Sequence, residues 1–255
     1  MKDFLSKLTK EAGDRLLEAY NEQNPGLVRM RTSSKGAAIA QDKISDEFIV
    51  GEIKKAYPDY SILSEEGGLK EGKPDYKLIV DSLDGTSNFA NHNPLWSVCI
   101  ALMKGDAVVM GAVYAPVLGE FYFAEKGKGV FLNGNPIRVS EIAELDKSYL
   151  VHCEGGEKDR QRQLRIIDAL YPRVTDERKI GSAGIETAWV AAGRADAYFT
   201  TRIEPWDVAP GVLLVQEAGG QVSDFKGNTW QAKTNDLVFS NGKVHEAVLE
   251  RIRNL

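Results

Sequence analysis

The run Tyr76-Lys77-Leu78-Ile79-Val80-Asp81-Ser82-Leu83-Asp84-Gly85-Thr86 decides the reading of this 255-residue chain. Residues 76–80 have the composition of a buried strand, and the strand delivers Asp81 to its end. Asp84 follows three residues on, in a turn that contains Gly85. Downstream, Trp96–Met103, Ala107–Tyr114 and Glu120–Glu125 are strand-like runs broken by Lys104-Gly105-Asp106 and Pro116–Gly119. They predict a meander of antiparallel strands, with a tight turn at Asn133-Gly134. Upstream, helical spacing from Phe4 to Tyr20 predicts an amphipathic helix over 3–20, stopped by Asn24-Pro25-Gly26. A second helical pattern runs from Asp42 to Tyr57, and Ser61-Ile62-Leu63 reads as a short strand leading into Glu65-Glu66.

After residue 140 strands and helices alternate. Strands are expected at Tyr149–His152, near Arg173–Thr175 and at Asp196–Thr200, and helices at Asp159–Ala169, from Gly181-Ser182-Ala183-Gly184 to Ala192, and at Trp206–Ala218, where Gly219-Gly220 stops the helix. The fold class is α/β in the broad α+β sense. Two closely packed lobes are expected: residues 1–140 with the main acidic motif, and 141–255 with Asp207 and the Gly181 segment.

Hydrophobic residues are 43% and charged residues 27% of the chain, which excludes disorder as the main state. The net charge of −5 argues against a broad electrostatic grip on nucleic acid or anionic lipid, so direct nucleic-acid binding is not expected. Cys99 and Cys153 are too few for a disulfide framework, and His92, His152 and His245 show no metal-ligand spacing. No run approaches the ~18–20 apolar residues of a membrane span, and the N-terminus lacks the apolar core of a signal peptide. A cytoplasmic protein is expected.

The informative feature is acids at element ends: Glu65 and Glu66 after one strand, Asp81 and Asp84 around another, and Asp207 at the start of an apolar helix. Hard cations such as Mg²⁺ take oxygen ligands, and an Asp-x-x-Asp turn offers two carboxylates and the Leu83 carbonyl toward one spot. The Gly85 and Thr86 amides suit an anion, and the Thr86 hydroxyl suits a water. Taken singly, each has a plainer reading: a solvated turn, a charged loop, an N-cap at Asp207, a capping hydroxyl at Thr86. The residue pattern leaves open whether the acids converge.

Residues 81–89, Asp-Ser-Leu-Asp-Gly-Thr-Ser-Asn-Phe, resemble a signature of the inositol monophosphatase family, and Trp206-Asp207-Val208-Ala209-Pro210-Gly211 resembles its second signature. Glu65-Glu66, Asp42, residues 127–134 and Glu217-Ala218-Gly219-Gly220 resemble further family segments in the same order. The resemblance implies a layered α/β/α/β/α sandwich, commonly a homodimer, and a Mg²⁺-dependent, lithium-sensitive phosphatase acting on a small polyol or sugar phosphate of the inositol 1-phosphate or fructose 1,6-bisphosphate type. It implies two or three Mg²⁺ ions: one held by Glu65, Asp81, the Leu83 carbonyl and Asp84, one by Asp81, Asp84 and Asp207, and a third shared by Glu65. Thr86 and Asp42 then polarise the attacking water, the Gly85 and Thr86 amides cradle the phosphate, and Gly181, Ser182 and Ala183 line the substrate.

Three departures stand out. Ser82 replaces a proline, with no ligand lost, so Ser82→Pro is expected to be tolerated. Pro210 replaces an alanine and is expected in the first turn of its helix. Thr200 stands where inositol-specific members often carry Glu, with Arg202 and Glu204 nearby, which leaves histidinol phosphate or another small ester open as substrate. A nucleotide 3′-phosphatase of the same superfamily, usually a longer chain, and a transcription-associated binding protein are the alternatives.

Overall fold

The computed structural model describes residues 1–22, 31–154 and 160–255. Helix α1 (Lys2–Glu22) buries Leu5, Leu8, Ala12, Leu16 and Tyr20, the single stripe that its sequence spacing dictates. The stop at Asn24-Pro25-Gly26 lies outside the described residues. Helix α2 (Arg31–Ala56) begins well before the expected Asp42 and carries that residue inside it. Strand β1 (Tyr60–Ser64) pairs antiparallel with the short β2 (Gly68–Lys70) and parallel with β3 (Lys73–Asp84). From β3 the meander continues through β4 (Ser97–Lys104), β5 (Ala107–Ala115), β6 (Glu120–Glu125), β7 (Gly129–Leu132) and β8 (Asn135–Pro136). The eight strands form one sheet in the order β2-β1-β3-β4-β5-β6-β7-β8. Asn133 and Gly134 both have positive φ, 49° and 83°, the conformation that a two-residue hairpin turn demands.

The second half builds a five-stranded sheet, in the order β10-β9-β11-β13-β12, from β9 (Tyr149–Glu154), β10 (Asp176–Lys179), β11 (Ala197–Thr201), β12 (Gln221–Asp224) and β13 (Leu237–Ser240). Short helix α3 (Thr86–Ala90) follows β3, and α4 (Arg160–Leu170), α5 (Ala183–Ala191), α6 (Pro205–Glu217) and α7 (His245–Ile252) complete the chain.

Strand periodicity sorts side chains into three cores. In β3 and β4, Leu78, Val80, Val98 and Ile100 face the core beneath α1 and α2, whereas Ile79, Cys99 and Ala101 face a central core shared with α5 and α6. In the second sheet, Tyr198, Leu237 and Phe239 reach that central core, and Phe199 and Val238 join the third one with α4 and α7. The layers are therefore helix, sheet, helix, sheet, helix, and the expected α/β/α/β/α sandwich is what the chain forms.

Four local expectations need correction. Strand β3 does not end at Asp81; it runs to Asp84, with a register shift against β4 between those two residues. The strand expected near Arg173–Thr175 lies later, at Asp176–Lys179, because Tyr171–Arg173 is a 3-10 turn with Pro172 in it. Asp207 is not the N-cap of its helix. Glu204 is, which makes Asp207 the third residue of α6. Pro210 accordingly falls inside α6 and not in its first turn, where it offers no N–H to the Trp206 carbonyl.

Helix α6 is wedged between both sheets, and two glycines make room for it. A Cβ at Gly211 would stand 2.2 Å from Thr187 Oγ1 of α5, and one at Gly111 of β5 would stand 2.8 Å from the Pro210 carbonyl. Gly211→Ala improves helix propensity by about 1 kcal/mol, yet it should destabilise the protein by about 1–3 kcal/mol through overpacking. Urea denaturation of the variant checks the sign; a gain in stability would mean that the α5–α6 contact is looser than described.

Candidate metal and catalytic site

Strand β3 brings Asp81 and Asp84 to its end, and the first turn of α6 brings Asp207 to the same place. One ligand oxygen from each lies within 4.8 Å of the other two. Asp207 is oriented by a capping box: its carboxylate accepts from the Glu204 amide at 3.0 Å while the Glu204 side chain accepts from the amide of Asp207. Leu83 N–H donates to Asp81 Oδ1 at 3.0 Å, so the register shift in β3 folds the strand end around its own acid.

Asp84 is held from four sides. Ala183 N–H donates to Oδ1 and Gly184 N–H to Oδ2, both at 2.9 Å, Ser97 Oγ donates to Oδ2 at 2.7 Å, and Ser182 Oγ also donates to Oδ2. Ser182 and Ala183, expected to line a substrate, thus spend these donors on Asp84 at the N-terminus of α5. Gly181 has φ +82°, and Asn88 Nδ2 donates to its carbonyl at 3.3 Å, to Ile180 O at 3.0 Å and to Leu95 O at 2.5 Å. Asn88 therefore ties α3 to the loop that precedes α5.

Asp42 is buried on α2 and faces residues 82–86. Ser82 Oγ donates to Asp42 Oδ1 at 2.6 Å, and Thr86 Oγ1 reaches Asp42 Oδ2 at 3.5 Å and the Leu83 carbonyl at 3.1 Å. Gly85 takes φ +87° ahead of α3, whose first amides have no partner four residues back. Phe89 of α3 packs edge-on to Tyr20 and Trp96, which fixes this short helix in the core. Glu65 lies in the turn after β1 and outside the 4.8 Å set; the residue as a whole is exposed, but its carboxyl end is turned in toward Asp42 and Asp84.

The electrostatics are those of acids without cations. Burial raises the carboxyls of Asp81, Asp84 and Asp207 above the usual range. For Asp81 the next influences are all carboxylates: Asp84, Glu65, Asp207 and Asp42. Burial first and then the neighbouring acids push Glu65 up to about 7, and Asp42 is raised to about 6 mainly by burial. For Asp207, burial is followed by the charges of Asp84 and Glu65, so it too is raised by neighbouring carboxylates. An all-oxygen donor set that can reach neutrality only by taking up protons or a cation fits a hard divalent ion. Asp81, Asp84 and Asp207 would hold it, with the Leu83 carbonyl and Glu65 beside them.

Sequence reasoning missed the residues that hold the acids in place: Asn88, Ser97, Gly184 and Glu186. Glu186 is buried in α5, and its Oε1 accepts from Ile180 N–H at 3.0 Å and Gly181 N–H at 3.4 Å. Its only sequence signal was an acid inside an otherwise apolar helix. Ser82 carries no expected metal ligand, and of the two outcomes open for it, a free side chain or a hydrogen-bonded one, the second holds: its hydroxyl is a donor to Asp42.

Two predictions follow from these contacts. Ser82→Pro deletes a donor to a buried carboxylate, a loss of about 1–3 kcal/mol, so both the melting temperature and the Mg²⁺ affinity should fall; a thermal melt and a Mg²⁺ titration test this, and an unchanged or higher value for either contradicts it. Burial pushes Glu186 up to about 8, above its value in the unfolded chain, so folding holds a proton that the unfolded state releases as pH rises. Its stabilising effect is complete below pH ~4.5 and is lost as pH climbs toward 8. The melting temperature of Glu186→Gln relative to wild type should therefore increase from pH 5 to pH 8; a constant difference would place the Glu186 pKa in the ordinary range.

Set against known proteins, residues 1–255 match the inositol monophosphatase family. The chain is 37% identical over 253 residues to the fructose-1,6-bisphosphatase/inositol-1-monophosphatase of Thermotoga maritima, covering 99% of this chain and 96% of that protein. It is 40% identical over 228 residues to Nus factor SuhB of Xylella fastidiosa, covering 88% and 82%. A solved Thermotoga maritima IMPase superposes with a TM-score of 0.86 at 33% identity, covering 100% of this chain and 98% of that one. With its two signatures meeting in one buried acidic cluster, the chain belongs to the inositol monophosphatase family.

Proposed function

We infer that the protein hydrolyses a small phosphate monoester, with Mg²⁺ as its cofactor. The observation that carries this reading is the convergence of Asp81, Asp84 and Asp207 beside the Thr86–Asp42 pair. Two or three ions at these carboxylates would neutralise charge on the phosphoryl group and acidify a water. The chain's own residues supply the rest. Thr86 Oγ1 accepts a hydrogen bond from the attacking water and hands its own proton toward Asp42 Oδ2, whose carboxyl, raised to about 6, is a usable base near neutrality. Ser82 Oγ holds the other Asp42 oxygen in place. The Gly85 and Thr86 amides face the phosphate. As the water oxygen bonds phosphorus, the bond to the ester oxygen on the opposite side breaks, and that oxygen takes a proton from solvent water and leaves as the alcohol. Neither Cys99 nor Cys153 serves as nucleophile, because burial raises both thiols well above their usual range.

For the substrate, Thr200 is fully buried and lies 3.6 Å from Cys153 Sγ. A threonine at this position offers no carboxylate to a polyol ring, which favours a sugar phosphate of the fructose 1,6-bisphosphate type over inositol 1-phosphate; the Thermotoga relative's name couples both activities. Lithium inhibition, a homodimer and a cytoplasmic location belong to the same reading. No helix among the described residues is long and apolar enough to cross a membrane. The relatives named Nus factor SuhB favour a second reading, in which the fold binds a partner in the transcription machinery.

Phosphate release from a panel of sugar, inositol and histidinol phosphates, with and without Mg²⁺, separates the two. We expect Mg²⁺-dependent turnover that Asp84→Asn or Asp207→Asn lowers by about a hundredfold or more, the scale of a lost transition-state charge contact, with the fold intact by circular dichroism. Near wild-type turnover by either variant overturns the metal assignment, and a wild type inert on every ester favours the binding reading.

A further inference from the structure

Glu65 differs from the other acids of the centre in how it is held. Among the described residues its side chain accepts no hydrogen bond, and its own amide reaches only the Val80 carbonyl, at 3.3 Å. The turn that carries it is fixed from behind. Gly67 N–H donates to Ser64 Oγ at 3.1 Å; Ser64 is fully buried, and the Asp46 carboxylate stands against the same glycine from α2. Asp46 is itself buried on α2, with no hydrogen-bond partner at Oδ1. A Cβ at Gly67 would lie 2.7 Å from Ser64 Oγ, 3.0 Å from Lys70 Nζ and 3.2 Å from Asp46 Oδ2. Hydroxyl, ammonium and carboxylate thus meet beneath the turn, and the lysine offsets part of the cost of burying Asp46.

Asp46 also lies four residues after Asp42, on the same face of α2. One helix face therefore touches both halves of the centre: Asp42 takes the Ser82 and Thr86 hydroxyls, and Asp46 stands beside Ser64 and Gly67. We propose that Asp46 is a positioning residue for Glu65, acting through Ser64 to set where the Glu65–Gly67 turn stands relative to the Thr86–Asp42 pair. This rests on the hydrolytic reading of the site, and its test tells the two apart.

The experiment uses the full chain with Asp46→Asn, Ser64→Ala, Ser64→Thr, Glu65→Gln and the double variant Asp46→Asn/Glu65→Gln. One readout is hydrogen exchange at the Gly67 amide by NMR without added metal; the other is kcat and KM for the best ester of the panel at saturating Mg²⁺. Loss of a charge-assisted contact predicts exchange about tenfold faster in Asp46→Asn and Ser64→Ala, with kcat down about tenfold and KM changed less than about twofold. Ser64→Thr should restore both. Asp46→Asn should change kcat by less than about twofold once Glu65 is already Gln, because residues acting as one unit are not additive. Unchanged Gly67 exchange, unchanged kcat in both single variants, or losses that multiply in the double variant overturn the proposal. If the wild type hydrolyses no ester, the functional reading fails on its own, and Gly67 exchange still decides whether Asp46 holds the turn.

Discussion

Everything in this molecule is arranged around the repulsion between buried carboxylates. Asp81, Asp84 and Asp207 place oxygens within 4.8 Å of one another, with Glu65 and Asp42 adding to the field at Asp81. Such a cluster cannot be fully ionised in a low-dielectric interior without a compensating charge. The scaffold that forces the acids together must therefore be stiff, and its stiffness comes from apolar packing on both sides of β3. Leu78 and Val80 are buried in the core under α1 and α2, and Ile79 in the core around α6.

The acids are not held alike, and the difference matches the roles proposed for them. Asp84 accepts from two serine hydroxyls and two backbone amides at the start of α5. Its position is thus set by the contact between the two halves of the chain. Asp207 is set by the capping box of α6, and Asp81 by the amide of Leu83. Glu65 and Asp42, raised to about 7 and about 6, are brought toward neutral pH. A centre needs both kinds of group: rigidly held carboxylates whose charge a cation would compensate, and a proton acceptor whose affinity is near the ambient one.

Close helix packing turns this local chemistry into a property of the whole fold. Helix α6 carries Asp207 at its start and reaches both sheets only because Gly211 and Gly111 leave room against Thr187 and Pro210. Pro210 removes a hydrogen-bond donor from the interior of α6 and so weakens it locally, but the residue is buried between neighbours that hold the helix in place. Asn88 does for α3 and the Gly181 loop what the glycines do for α6: three carbonyls from two separated segments converge on one amide group.

Periodicity and composition by themselves determined the first helix, the meander from β3 to β6, the strand–helix alternation after residue 140, and the acids at element ends, because these depend on spacing within one segment. The three-residue step from Asp81 to Asp84 and the Trp206-Asp207 pair were legible for the same reason. The tail strands β12 and β13 and helix α7 were not, since short apolar runs such as Leu237-Val238-Phe239 do not distinguish strand from buried helix. Only the tertiary structure decided that Asp207 joins Asp81 and Asp84, that Ser82 serves Asp42, and that Asn88, Ser97 and Glu186 brace the centre. Most of those contacts join residues far apart in the chain. A hydrogen bond acts over about 3 Å, so its partners are chosen by how the layers pack and not by any pattern that a local stretch of sequence carries.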